Sequence, residues 1–448
     1  MKASRRKLLK AMVATGLSSG LNVHAQQSAE WLILVYMNGK NNLAEYALDD
    51  FKEMARVGST ADVSIIVQLG RPFSKDLNPS IYGGWSGVKR FRVERDMLPT
   101  ADQALVNVGA AGDEAANMGS PTVLGDFIDW GVTNFPARRR MLVIWNHGQG
   151  WRFQTLPRSA AAVGASRTIT QEQEKKLSNG RVVGLYRSVS SDDDHQSILY
   201  NKQVQTLLES RAAKGMRFDI IAYDACLMSM VETAYSLRRC ADYLVGSEEL
   251  EPGAGWDHSI ILKKLIASPD MSSAILASTI VQSYRERYGD FDKTTMSATR
   301  LDKITEVCEA ISITAQQLLR TKVRSYPELA KARASLSGFA DYKNIGFSVD
   351  CETLFERLKD IATDPRVKAA SAKVAAAMKA SIIDNYASAI VQKEYSPRGL
   401  ALYFPQTRDD FFRDRDSSGY LRSTKEHPVD FVHDMDWSVL LKDYLKLS

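Results

Sequence analysis

The sequence contains few cysteines and, beyond its N-terminus, no long apolar segment. Its four cysteines in 448 residues are Cys226, Cys240, Cys308 and Cys351, too few for a disulfide framework. If Cys226 stays reduced for chemistry, at most one pair can form among the other three, and we expect buried thiols instead. No later segment approaches about 18 consecutive apolar residues, so the sequence predicts no membrane span after the leader. We find no internal repeat.

The chain also has no net positive charge once the N-terminus is set aside. Residues 1–25 contain five basic side chains and no acid, and these five account for the whole formal charge of +5. Without this leader the composition offers no support for binding to nucleic acid or to an anionic surface. We therefore predict no nucleic-acid partner.

The N-terminal segment resembles a secretory signal. A basic start precedes an apolar stretch from Ala11 to Leu21, and Val23 and Ala25 occupy the small-residue positions of a cleavage site. Residues 4–10, SRRKLLK, resemble a twin-arginine export signal, which we favour over an ordinary Sec signal. The sequence thus predicts a signal peptide over 1–25 and an exported protein, either periplasmic or secreted.

Short apolar runs alternate with helical patterns as far as about residue 260. The runs that predict strands are WLILVY (31–36), VSIIVQL (63–69), MLVIW (141–145), IIAY (220–223) and DYLVG (242–246). Strands without polar alternation are buried on both faces, so this pattern predicts an α/β fold with a mostly parallel sheet covered by helices on both sides.

The pattern changes in the C-terminal part. Segments 272–287, 300–322 and 365–391 predict helices, and residues 399–404 predict one more strand, ended by Pro405. We expect a catalytic domain over 30–262 and a mainly helical C-terminal region over 263–448. The polar segment 152–196 predicts an exposed loop within the first of these.

Reactive side chains follow two of the predicted strands. His147 comes after MLVIW, and Asp224 and Cys226 come after IIAY. Ligands of parallel α/β sheets bind beyond the carboxyl ends of the strands, and residues two apart can face one pocket. We expect Cys226 at a helix N-terminus, which favours a thiolate. His147 would exchange protons with the nucleophile and the leaving amine, and the amides of Gly148 and Cys226 would bind the oxyanion.

Six stretches, in order, resemble the clostripain family of cysteine peptidases, which are related in fold to caspases, gingipains and legumain. They are WLILVYMNGKNNL, NMGSPTVLGDFIDWG, LVIWNHGQGW, DIIAYDACLMSMVETAY, YLVGSEELEPGAGW and RGLALYFP. The resemblance implies a caspase-like three-layer α/β/α sandwich with His147 as general acid/base and Cys226 as nucleophile. It also implies that Asp224 binds Arg or Lys of the substrate; the alternative is that Asp224 caps the helix that follows.

Residues after the next strand can line the same pocket. Ser247, Glu248, Trp256 and Asp257 are the candidates, and Asp257 would add a second acid; the alternative is a solvated loop.

A cofactor is not required for this chemistry, and calcium is possible. Asp192, Asp193 and Asp194 resemble a calcium-binding cluster, although an acidic run is more often a solvated loop. Many family members are calcium-dependent, but many of them carry Asp where this chain has Lys40, which puts a calcium requirement in doubt.

Basic residues in the 152–196 loop suggest control by self-cleavage, because exposed basic loops are good cleavage sites. They are Arg158, Arg167, Lys175, Lys176, Arg181 and Arg187. The sequence therefore predicts an exported cysteine endopeptidase that cleaves protein or peptide substrates after Arg or Lys. Two alternatives remain: an inactive peptide-binding or adhesin-like module on the same fold, and another thiol acyl-transfer enzyme.

Overall fold

The computed structural model describes residues 28–73, 80–110, 112–152, 189–290, 293–340, 347–414, 416–421 and 429–447. No helix in these ranges combines the length and the apolar character that crossing a membrane requires. The predicted signal peptide and the basic residues of the 152–196 loop lie outside the described residues.

Thirteen strands lie in the described residues, and nine of them form one sheet. The strands are β1 (Ala29–Asn38), β2 (Val63–Arg71), β3 (Gly87–Arg92), β4 (Val106–Gly109), β5 (Ala137–Trp145), β6 (Ser190–Asp192), β7 (Ser197–Leu199), β8 (Phe218–Asp224), β9 (Ala241–Gly246), β10 (Thr295–Arg300), β11 (Ser348–Asp350), β12 (Ile382–Ala387) and β13 (Ala401–Tyr403). The sheet order is β12-β10-β9-β8-β5-β1-β2-β3-β4. Strands β9, β8, β5, β1 and β2 are mutually parallel, and antiparallel pairs flank them on both sides.

Helices cover both faces of this sheet. They are α1 (Ala44–Ala55), α2 (Pro121–Asn134), α3 (Asn201–Ala212), α4 (Val231–Leu237), α5 (His258–Ala267), α6 (Ser273–Tyr288), α7 (Ile304–Arg320), α8 (Lys322–Ala334), α9 (Cys351–Ile361), α10 (Pro365–Ser381), α11 (Ala389–Tyr395), α12 (Arg408–Arg413), α13 (Ser417–Leu421), α14 (Asp430–Asp434) and α15 (Trp437–Tyr444). Side chains of α1, α5 and α6 pack in one apolar core, and those of α2, α3, α4 and α7 pack in a second. The predicted three-layer α/β/α architecture is thereby confirmed.

The uninterrupted apolar run of β1 follows from this two-sided burial. Trp31, Ile33 and Val35 join the core on one face, while Leu32 and Leu34 join the core on the other. Successive side chains of a strand point to opposite faces, so a strand covered on both sides has no position that favours a polar residue.

The C-terminal half contributes more to the sheet than the sequence predicts. The boundary expected near residue 262 falls inside α5, and β10 and β12 extend the sheet beyond β9. The helix predicted over 365–391 ends at Ser381, and residues 382–387 form β12 instead. Pairing with β10 satisfies the backbone of this segment, and that tertiary contact outweighs the helical pattern of the sequence before it.

A buried carboxyl group joins α4 to the C-terminal segment. Glu232 accepts hydrogen bonds from the Tyr403 amide (3.0 Å) and the Tyr420 hydroxyl (2.8 Å). Burial raises the pKa of Glu232 to about 7. An exposed glutamate has a pKa of about 4.3, so the folded protein holds this proton more tightly than the unfolded chain does.

We predict that Glu232→Gln changes how stability depends on pH. The stabilising proton of Glu232 is fully bound below about pH 4, and its contribution is lost as the pH rises through about 7. The difference in unfolding free energy between the wild type and the variant should therefore change by about 3 kcal/mol across this window. Urea unfolding at several pH values measures it, with the exposed Glu309→Gln as control. Parallel pH profiles for the wild type and Glu232→Gln would contradict the prediction.

Candidate active site

The register of two neighbouring strands places His147 beside Cys226. Strands β5 and β8 are parallel, and Trp145 lies opposite Asp224, the last residue of β8. His147 and Cys226 each follow two residues after this pair. The loops touch, because a Cβ atom on Gly148 would lie 2.3 Å from the Cys226 carbonyl oxygen. Only glycine fits at this close approach, and both predicted residues therefore lie at one edge of the sheet.

The imidazole of His147 has a partner that the sequence analysis missed. Its Nε2 atom lies 2.8 Å from Oδ1 of Asn42, which follows β1, the other neighbour of β5. With the amide oxygen as acceptor, Nε2 carries the proton and Nδ1 is the basic nitrogen. The available signal was a polar pair, Asn41-Asn42, shortly after the buried strand β1, which ends at the same edge of the sheet as β5.

Cys226 is partly exposed and lies against the backbone of Glu251. The Glu251 amide donates to Sγ over 3.3 Å, and Sγ lies 3.8 Å from the Glu251 carbonyl oxygen. The expected helix N-terminus at Cys226 is wrong, because α4 begins only at Val231. Leu227 instead adopts a positive φ of 59°, and its amide pairs with the Glu249 carbonyl. The Glu251 amide, and not a helix terminus, is thus the donor that faces the sulfur, and such a donor favours the thiolate.

A short hairpin supports the loops that carry Asn42 and His147. Asn146 donates from Nδ2 to the Asn38 carbonyl (2.6 Å) and accepts from the Ser191 amide (3.2 Å). Asn38 in turn donates to Ser190 Oγ and to the Ser191 carbonyl. Near its end the predicted 152–196 loop includes β6, which forms a hairpin with β7 and is buried against these amides, while the turn residues Asp193, Asp194 and Gln196 are exposed.

Asp224 is buried and paired with an imidazole. Its Oδ2 atom lies 3.1 Å from His258 Nε2, and Oδ2 of Asp50 lies 3.9 Å from the same nitrogen. Burial by itself would lower the pKa of His258, but the Asp224 hydrogen bond and the charge of Asp50 raise it overall. Asp224 does not cap the following helix, which begins at Val231.

Asp50, Asp224 and His258 could also be read as a small metal site. Each offers one ligand atom, and these atoms lie within 4.8 Å of one another. However, His258 contacts Asp224 directly, and Trp145 Nε1 donates to Asp50 Oδ2 over 2.6 Å. These contacts already satisfy the group as a network of hydrogen bonds and ion pairs.

Three other predicted pocket residues have structural partners instead. The Ser247 hydroxyl contacts the Glu249 carbonyl and Thr295 Oγ1, and Glu248 accepts from the Gly399 amide. Asp257 accepts from the Ile260 amide over 2.9 Å and is the N-cap of α5. The carboxylate of Asp257, expected to add a second acid to the pocket, thus has partners at the helix start and lies 3.9 Å from Arg287.

Trp256, the fourth predicted pocket residue, is buried in the sheet core that α1, α5 and α6 cover. Its ring lies 6.1 Å from that of His258, which places it beside the Asp224 pair.

The acidic run at 192–194 surrounds an ammonium group. Lys40 Nζ is fully buried and lies 3.1 Å from Asp192 Oδ2 and 3.3 Å from Asp194 Oδ2. The Ala116 carbonyl (3.0 Å) and His195 Nδ1 (3.1 Å) complete its surroundings. Asp192 is buried as well, whereas Asp193 and Asp194 are exposed, so only the first acid of the run is fully withdrawn from solvent.

The remaining thiols are buried, as predicted. Cys240, Cys308 and Cys351 form no disulfide, and burial raises the pKa of each, that of Cys240 to about 12. Cys226 alone among the four is partly exposed. Thiolates are the reactive form, so Cys226 is the thiol suited to nucleophilic chemistry.

An α/β/α sandwich whose neighbouring parallel strands lead to a histidine and an accessible cysteine is the arrangement of the caspase-like cysteine peptidases. A family model described as the Clostripain family matches residues 35–170 and 179–444. The chain therefore belongs to the clostripain family of cysteine peptidases, which confirms the resemblance found in the sequence.

The individual proteins that this chain resembles include clostripain itself and C11 proteases of known structure. Clostripain from Hathewaya histolytica is 27% identical over 245 residues, which cover 52% of this chain and 42% of clostripain, so less than half of that relative is matched. A secreted C11 cysteine protease from Bacteroides thetaiotaomicron, solved with an irreversible peptide inhibitor, has a TM-score of 0.60 at 16% identity, covering 92% of this chain and 100% of that one. An inactive zymogen C11 protease from Parabacteroides distasonis has a TM-score of 0.58 at 19% identity, covering 92% and 98%. At such identities the two structures show the fold.

We predict that Asn42→Ala lowers kcat on a peptide amide about tenfold or more and leaves KM nearly unchanged. Without the Oδ1 acceptor the His147 ring loses its tautomer and orientation, and general acid–base catalysis contributes about 10²–10⁴-fold. Asn42→Asp keeps an acceptor oxygen and should retain most activity, with a shifted pH profile. Steady-state kinetics test this, with the exposed Glu45→Gln as control. An Asn42→Ala variant with wild-type kcat would exclude the positioning role.

Proposed function

We propose that this protein is an exported cysteine endopeptidase that cleaves after Arg or Lys with Cys226 and His147 as its catalytic dyad. The observation that carries the proposal is the pairing of Trp145 with Asp224, which brings the two following loops together at one edge of the sheet. The contact between Gly148 and the Cys226 carbonyl supports it.

The reaction would proceed through an acyl-enzyme. Cys226 Sγ attacks the scissile carbonyl carbon while His147 holds the thiol proton, and the same imidazole then protonates the leaving amine. The amides of Gly148 and Cys226 would donate to the oxyanion. Water attacks the thioester in the second half, which releases the acid and returns the proton to sulfur. No step needs a metal.

Preference for a basic residue is supported by an excess of buried acid near the nucleophile. Asp224 lies two residues before Cys226, and Asp50 lies beside it, whereas His258 is the cation that faces both. A guanidinium or ammonium group entering next to Cys226 would reduce this imbalance, and an Arg side chain can pair with a carboxylate through two hydrogen bonds.

The proposal also includes export of the protein and its activation by cleavage. The signal-like leader supports export, and the similar protease from Bacteroides thetaiotaomicron is described as secreted. The similar Parabacteroides distasonis protease is described as an inactive zymogen. We propose that this chain is likewise activated by cleavage of its own basic segment between His147 and Cys226.

The catalytic assignment is tested by paired substitutions. We predict that Cys226→Ala and His147→Ala each lower kcat/KM on an Arg-amide fluorogenic peptide by about 10³-fold or more. The buried Cys240→Ala and the exposed His433→Ala are matched controls and should stay near wild type. A Glu-amide peptide should be cleaved far more slowly than the Arg-amide. Activity that survives Cys226→Ala would overturn the mechanism, and equal rates on both peptides would overturn the specificity.

We further propose that calcium is not required, because the Lys40 ammonium already occupies the position between Asp192 and Asp194. We predict that a calcium chelator leaves activity unchanged. Lys40→Met leaves two carboxylates without their cation and should destabilise the fold by about 3–5 kcal/mol. Added calcium should then raise the melting temperature of the variant more than that of the wild type. Loss of wild-type activity in the chelator would contradict the proposal.

A further inference from the structure

Glu251 lies where the substrate side chain must pass. Its amide and carbonyl oxygen lie 3.3 Å and 3.8 Å from Cys226 Sγ. In an acyl transfer the sulfur bonds to the carbonyl carbon, and the side chain that sets specificity is attached to the adjacent carbon. That side chain therefore enters the protein close to Glu251 as well as to Asp224.

The carboxyl group of Glu251 is buried, and no hydrogen bond of normal geometry reaches it within the described ranges. The Asp224 carboxyl group, the Ala225 amide and the Trp256 indole lie close enough to affect its pKa. Burial raises the pKa of Glu251 well above its usual value, and the nearby negative charge of Asp224 raises it further. Two acids thus lie side by side, and Asp224 is held by His258 at 3.1 Å, whereas no cation contacts the Glu251 carboxyl group within the described ranges.

Two further polar groups beside Glu251 are also buried without a hydrogen bond of normal geometry. The Tyr284 hydroxyl and the Trp256 indole N–H are buried, each in a side chain that is only 1% exposed, and within the described part of the chain neither makes a hydrogen bond of normal geometry. The Trp256 N–H lies near the Glu251 carboxyl group and lowers its pKa. Burial raises the pKa of Tyr284, and the charges of Glu251, Asp224 and Cys226 contribute. Buried polar groups in proteins are nearly always paired, so a shared group of unpaired atoms beside a nucleophile indicates a ligand site.

We infer that the carboxylate of Glu251 binds the cationic group of the substrate and is the second acid of the pocket, in the role first expected of Asp257. The inference rests on the proposed function, because it names a determinant of the same Arg or Lys specificity. A guanidinium can pair with both oxygens of one carboxylate, and the Tyr284 hydroxyl oxygen can accept a further N–H.

The charges around this place agree with the inference. The acids that face it are Asp50, Asp224 and Glu251, and His258 is the basic group between them. Arg287 is paired with other acids: its Nη1 atom lies 3.1 Å from Glu53 Oε1 and 3.9 Å from Asp257 Oδ2. A bound Arg or Lys side chain therefore supplies a positive charge where carboxyl groups outnumber cations.

The experiment compares an Arg-amide peptide with its citrulline analogue, which has the same shape without the charge. Glu251→Gln should lower the ratio of kcat/KM for Arg over citrulline on the order of 30-fold, since removing one partner of a buried charge pair has effects of this size. The exposed Glu45→Gln is the control. The variant should fold, because an uncharged amide replaces an acid beside another acid, and its melting temperature should equal or exceed that of the wild type. Glu251→Asp, which keeps the charge on a shorter side chain, should preserve much of the preference.

The outcomes separate this inference from the proposed function. If the wild type prefers Arg, Asp224→Asn loses the preference and folded Glu251→Gln keeps it, the inference is wrong and the specificity stands. If the wild type cleaves the Arg and citrulline peptides equally, the proposed specificity fails and the inference fails with it. Should Glu251→Gln prove unfolded, a Glu251→Asp variant with an unchanged discrimination between Arg and Lys would also overturn the inference, because a carboxylate one carbon shorter should not bind both cations as before.

Discussion

The parallel pairing of β5 with β8 is the constraint on which the candidate site depends. Trp145 and Asp224 lie opposite each other at the ends of these parallel strands, and His147 and Cys226 each lie two residues further along the chain. Both residues are therefore at the same edge of the sheet. Gly148 is the residue that allows the loops to touch. Around this pair the neighbouring strands contribute in turn: β1 leads to Asn42 and β9 leads to Glu251, so four adjacent strands each supply one group.

Buried charge is the second organising feature, and it takes two forms. Near the hairpin the Lys40 ammonium lies within 3.3 Å of both Asp192 and Asp194 and also contacts a carbonyl oxygen and an imidazole. Beside Cys226 the imidazole of His258 lies 3.1 Å from Asp224 but 3.9 Å from Asp50, and Glu251 is a third acid there. Desolvated charges of one sign are unfavourable unless paired, so the closely paired cluster serves the fold and the cluster with the additional acid suits a cationic ligand.

Much of this organisation could be predicted from the sequence, because strands buried on both faces leave a plain signal. The runs that became β1, β2, β5, β8 and β9 were found, and they placed His147, Asp224 and Cys226 at strand ends. Asn42 and Glu251 were missed because each acts through a contact with a residue more than 20 positions away, and no local pattern marks such a contact. Asp257 shows the converse, because its position before a helix is a local pattern, and an acid there is first of all a cap. Strand β12 was missed because its pairing with β10 is likewise non-local.

The chain order of β5 and β8 has a consequence for any form of the protein cut between residues 153 and 188. One fragment would carry β1 to β5 with the histidine, and the other would carry β6 to β13 with the cysteine. Within the large sheet the two would meet along the β5–β8 ladder alone, so the cleaved enzyme would be a heterodimer whose subunit boundary runs through its own catalytic centre. Dissociation and inactivation would then be a single event, and the affinity of the fragments for each other would set the working lifetime of the enzyme.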